Sequence, residues 1–173
     1  MLNVLRRSSR NPGRIRALHA ALTAAARQPV FFEAYGVADT VDGRFDMVVL
    51  HAWLVLAWLR AAGQAEIAQT LSDAIIVAFD EALRDLGNGD MGMGPRMKKL
   101  GNAFAGRLQA YETAADDAAL ADAIARNVYR GAPGREAAAA ALARYARAAA
   151  ERLTHCDPAG GALDFGAVPT TFL

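Results

Sequence analysis

Apolar residues recur at three- and four-residue steps along most of this chain, and no alternating strand-like run is present, a pattern that predicts helices. Ile15, Leu18, Leu22 and Ala25 mark a first helix over Arg14–Arg27, ended by Pro29. Phe31–Phe45 reads as a turn-rich connection, with Asp42-Gly43 as its clearest turn. Asp46 is then placed to N-cap a helix over Met47–Ala62, with Phe45 before the cap and Leu50 after it forming a hydrophobic staple. That helix is apolar nearly all round, which puts it at the centre of a bundle.

Ala65–Leu86 forms a second long helix with one stripe of Ile67, Leu71, Ala74, Ile75, Ala78, Ala82 and Leu86. Asp73 and Asp80 fall off the stripe, and Asp80 pairs with Arg84 one turn on. Gly87 supplies a stop, and the glycine-rich loop Asn88–Gly94 follows. Pro95 opens a helix reaching Tyr111, with Met97, Leu100, Phe104, Leu108 and Tyr111 as its packing seam. Gly101 and Gly106 inside it predict close approach of another backbone or a ligand. Asp116–Arg130 and Glu136–Leu153 are further helices, separated by Gly131-Ala132-Pro133-Gly134. From Asp157 the helical period ceases, and Phe165, Phe172 and Leu173 are candidates to pin the tail. The expectation is an all-α, single-domain bundle of about six helices. A basic N-terminal arm spans 1–13, the helical domain 14–156 and an irregular tail 157–173.

Composition changes this picture in two places. The 173 residues suit one domain with a sizeable core, and 54% hydrophobic against 21% charged content predicts folding rather than disorder. The net charge of +1 hides an asymmetry. Residues 1–32 carry Arg6, Arg7, Arg10, Arg14, Arg16 and Arg27 with no acid, so all 18 acidic residues lie beyond them. Cys156 is the single cysteine, which suits a reducing compartment. The apolar run Met47–Leu59 is shorter than the roughly 20 residues needed to cross a bilayer. The arginine-rich start would suit a mitochondrial transit segment, yet the alanine and arginine usage favours a bacterial source.

Little in the chain points to catalysis. His19, His51 and His155 are scattered, and His155-Cys156 are adjacent rather than spaced as a chelate. His51 reads as a satisfied core histidine. Ser8, Ser9 and Ser72 lack a nucleophile turn, and Asp80, Glu81 and Asp85 read as a solvated helix face rather than a general acid–base group. Gly87-Asn88-Gly89 follows a helix and lacks the Gly-Lys-Ser/Thr of a phosphate loop. Arg96, Lys98, Lys99 and Arg107 form a basic patch, either a solvated face or a contact for a partner. The arm with Arg6, Arg7 and Arg10 suits anionic lipid or RNA phosphate as readily as plain solvation.

Two segments are more idiosyncratic. The first holds Tyr35-Gly36, Asp39-Thr40, Gly43-Arg44-Phe45 and Leu50-His51. The second holds Leu83-Arg84, Gly87, Gly89-Asp90, Pro95, Lys98-Lys99, Phe104, Gly106-Arg107 and Tyr111. Their order and spacing over roughly Phe32–Tyr129 resemble the ubiquinol–cytochrome c chaperone family, assembly factors for cytochrome b of the respiratory bc complex. The chain departs from that pattern at Met91-Gly92-Met93-Gly94 and at Ala105.

The resemblance implies a non-enzymatic binding module without a cofactor, whose client is newly made cytochrome b. It further implies contact with a ribosome and a small partner protein, and no role on DNA. The location it implies is the cytoplasm or the cytoplasmic face of a bacterial inner membrane, or the matrix side in a mitochondrion, with peripheral contact to anionic lipid. Methionine and aromatic side chains accommodate varied apolar helices, so Met91, Met93, Met97, Phe104 and Tyr111 are candidates for the client groove. Core packing is the simpler account of Met97 and Phe104. Tyr35, Asp39, Arg44, Asp46, Arg84, Asp90 and Arg107 are candidates for a buried polar network around it. Two rivals remain: a ribosome- or RNA-binding factor acting through the arm, and a haem- or small-molecule-handling enzyme.

Overall fold

The structure, a computed structural model, describes residues 12–85 and 93–171. Among them the chain is helix and connection, with no strand. The helices are α1 (Pro12–Ala26), α2 (Pro29–Glu33), α3 (Val41–Ala61), α4 (Ala65–Asp85), α5 (Met93–Glu112), α6 (Asp117–Asn127) and α7 (Glu136–Leu153). Six are long, and α2 is a short turn of helix. α3 is the centre: α1, α4, α5 and α7 all pack against it, while α6 and α7 pair as a hairpin beside α5.

The central position of α3 follows from its composition. From Phe45 to Leu56 every residue is buried, polar Asp46 and His51 included. No single apolar stripe could satisfy such a helix, so it needs neighbours on all sides. Its start differs from the sequence expectation. Thr40, not Asp46, is the N-cap, its hydroxyl accepting from the Gly43 amide at 3.1 Å. Asp42-Gly43, expected as a turn, is the first turn of the helix, where Asp42 complements the positive end of the dipole. Gly43 is there for space: a Cβ would stand 1.9 Å from the Ala38 carbonyl oxygen. Part of the expected connection is also helical, because Pro29 starts α2 and sends Phe31 into the core.

Asp80, expected off the apolar stripe of α4, is 1% exposed. A single stripe does not describe this helix, because α4 packs against α1, α3 and α5. No other backbone comes close to Gly101 or Gly106, since no protein atom lies within 4 Å of a Cβ built at either. Asp116 caps α6, accepting from the Ala119 amide at 2.8 Å. In the tail, Phe165 and Val168 are buried; Phe172 and Leu173 lie outside the described residues. No described helix is long and apolar enough to cross a membrane.

Candidate functional site

Helix α3 turns the carboxylate of Asp46 inward, toward α5 and the α6–α7 turn. Arg107 Nε donates to Asp46 Oδ1 at 2.7 Å, and Arg130 Nη2 pairs with Oδ2 at 2.7 Å. Asp46 is fully buried, whereas Arg130 keeps 47% of its side chain in solvent. Burial pushes the carboxyl pKa up, and the two guanidinium groups pull it back. Arg130 reaches this place from a left-handed backbone, φ 57°, the conformation that turns the chain from α6 toward α7. Arg107 also donates to the Ala103 carbonyl at 3.0 Å and lies over the Phe45 ring at 5.2 Å. Trp53 adds a second tie between α3 and α5, donating to Glu112 Oε2 at 3.0 Å.

The expected polar network divides into separate pieces. Asp46 and Arg107 meet in the interior. Asp39 and Arg44 instead form an exposed pair at 2.6 Å, which holds the Asp39 carboxyl below its usual range. Arg84 Nε donates to buried Asp80 at 2.8 Å within α4. Tyr35 serves through its carbonyl, which accepts from the Tyr129 hydroxyl at 2.9 Å. Asp90 lies outside the described residues. Arg130 has no counterpart in the sequence reading, because nothing in a glycine-rich turn indicates that an arginine beside it points inward.

The candidate groove residues are distributed differently from expectation. Phe104 and Tyr111 are 2% and 1% exposed, so they pack in the core and line no open groove. Met97 is half-buried. Met91 lies outside the described residues, as does the side chain of Met93, whose backbone opens α5. Half-buried Leu100 and Leu108 follow Met97 along α5, and half-buried Ile76 and Phe79 stand on α4, the helix beside it. Val77 on α4 is 47% exposed. Lys98 and Lys99 are exposed on α5; Arg6, Arg7 and Arg10 lie outside the described residues.

A third cluster surrounds His51. Its Nδ1 is 2.8 Å from the Met47 carbonyl, which can only accept, so Nδ1 carries the proton. Nε2 then accepts from the Tyr145 hydroxyl at 2.9 Å. Phe31 and Phe165 pack edge-on to the ring at 5.5 and 5.2 Å. Complete burial lowers the His51 pKa to about 4 and keeps the ring neutral. This is a structural histidine with both nitrogens satisfied.

Comparison with known proteins gives this architecture its context. No curated protein matches the chain. The crystal structure of the Cbp3 homolog from Brucella abortus superposes with a TM-score of 0.83 at 32% identity, over 96% of this chain and 97% of that one. The family model for the ubiquinol–cytochrome c chaperone matches residues 33–160, from the end of α2 into the tail. With that match covering most of its length, the chain belongs to the ubiquinol–cytochrome c chaperone family.

Proposed function

We propose that this protein is a non-enzymatic chaperone that holds newly made cytochrome b during assembly of ubiquinol–cytochrome c reductase. The observation that carries the reading is the family match over residues 33–160. The surface of α4 and α5 is compatible with it. Ile76, Val77, Phe79, Met97, Leu100 and Leu108 offer partly exposed apolar groups, with Lys98 and Lys99 beside them. An apolar segment awaiting insertion gains by covering such groups, and lysines next to them favour an anionic membrane surface. On this reading Met97 keeps its place at the client surface, and Phe104 and Tyr111 support that surface from below.

The test is deletion of the gene, followed by measurement of assembled bc complex and of cytochrome b recovered with the tagged protein. Loss of the complex together with crosslinks from cytochrome b to α4 or α5 is the expected result. Normal complex in the deletion strain would refute the proposal.

A second reading, a ribosome- or RNA-binding factor with an optional small partner protein, draws on the acid-free, arginine-rich stretch 1–32. It requires binding that weakens steeply with salt and is lost when residues 1–11 are removed. Arg14 is unavailable for it, since that side chain is buried and bound within the fold.

A further inference from the structure

The tail lies back against α7, and between them is an open cleft of about 380 Å³, within the range of small-ligand sites. Its lining is mixed. Ala141, Tyr145 and Phe165 supply apolar and aromatic surface, and Tyr35, Arg144 and Arg152 bring polar groups to it.

The walls are firmly built. From beneath, His51 fixes the Tyr145 hydroxyl. On the tail side, Arg152 donates to Asp164 Oδ2 through Nε and Nη2 at 3.1 and 2.5 Å, while Asp164 Oδ1 accepts from the Gly166 amide at 2.9 Å. Gly166 has φ +75°, and a Cβ there would stand 2.7 Å from Arg152 Cδ. Only glycine lets the tail come this close to the arginine stem.

The charge of the cleft is unbalanced. Arg152 has its carboxylate, whereas Arg144 makes no ion pair among the described residues. Its positive charge nonetheless acts on the Tyr35 phenol, lowering a pKa that burial raises. A cationic ligand would meet the Arg144 guanidinium, a charge of its own sign. A purely apolar one would cover Arg144 without pairing it, and a bare anion would leave the aromatic floor uncovered. An anionic head on a short apolar chain answers both halves of the lining.

We propose that this cleft is a binding site for an amphiphilic anion, a carboxylate or phosphate on a short apolar chain, with Arg144 pairing its head and Tyr145 and Phe165 receiving its chain. The site stands apart from the α4–α5 surface and does not depend on the chaperone reading.

Calorimetric titration of the full chain tests it, using octyl phosphate, octanoate, inorganic phosphate and octanol. Saturable one-to-one binding of the two amphiphilic anions is expected, each at least about tenfold tighter than inorganic phosphate or octanol. Arg144→Gln, an exposed change that leaves the fold intact by circular dichroism, should weaken both by at least about tenfold. Ala148→Trp, on the same exposed rim, should block them. Vesicles of phosphatidylglycerol identify the source of the anion. Retention that Arg144→Gln abolishes assigns it to membrane lipid, and octyl phosphate binding without retention assigns it to a soluble metabolite. Absence of saturable binding by both amphiphiles, or binding that Arg144→Gln leaves unchanged, would overturn the proposal.

Discussion

Asp46 and Arg107, 61 residues apart in sequence, meet at 2.7 Å with the carboxylate fully removed from water. A carboxylate buried this completely depends on its guanidinium partners, Arg107 and Arg130. Asp46→Asn should therefore cost about 3 kcal/mol of unfolding free energy in urea. The double variant Asp46→Leu with Arg107→Met should be milder than the sum of its single changes by at least about 1 kcal/mol, because Arg130 can turn its half-exposed guanidinium to solvent. Strict additivity would show that the two side chains do not interact.

His51 makes stability depend on pH. An unfolded histidine takes up a proton near its ordinary 6.5, while the folded ring resists down to about 4. The unfolded state binds more protons between those values, so stability is full above the window and falls as pH drops through it. From pH 7 to pH 5 this group should withdraw about 2 kcal/mol. Urea melts of the parent and of His51→Gln at both pH values isolate that difference. An equal loss in the two proteins would mean that His51 is not the group responsible.

Two glycines in helices should respond oppositely to alanine. Gly106 has no atom within 4 Å of its would-be Cβ, so Gly106→Ala should gain about 1 kcal/mol from helix propensity. Gly43→Ala faces the Ala38 carbonyl at 1.9 Å and should lower the melting temperature despite the same propensity gain. Thermal unfolding of both variants decides this.

Arg14 holds the tail. It donates to Gln64 Oε1 at 2.6 Å, to the Gly160 carbonyl at 3.3 Å and to the Pro158 carbonyl. Arg14→Met should keep the apolar stem and lose the three acceptors, costing about 2 kcal/mol. Limited proteolysis should then cut first near 157–161. Cleavage at an unchanged rate there would show that buried Phe165 and Val168, with the Arg152–Asp164 pair, hold the tail without Arg14.

Much of this architecture was legible in the residues. α7 matches its expected span, and α4 begins where expected, because a stripe on a regular helix is a local feature. The start of α3 was obscured by Asp42-Gly43, a turn dipeptide by composition that is here the first turn of a helix, made possible by Thr40 and the tight approach to Ala38. Asp46 looked like a cap because aspartate before an apolar run usually is one. Its actual partners, Arg107 and Arg130, lie 61 and 84 residues away, and no local pattern specifies them. Phe104 and Tyr111 appeared as a seam, but a seam does not say whether it faces a client or the protein's own α3. The burial of Asp80 depends likewise on how α4 sits among α1, α3 and α5, which no local pattern specifies.

The tie from Arg14 to Pro158 and Gly160 spans 144 and 146 residues, which bears on the order in which the protein closes during synthesis. A nascent chain presents α1 early, and the hydrophobic contacts of α1 with α3 and α4 can form as soon as those helices exist. The carbonyls that receive the Arg14 guanidinium arrive only after α7 is complete. Until then α1 is seated but not latched, and the final carbonyl contacts act as a clasp fastened once the whole helical body is in place.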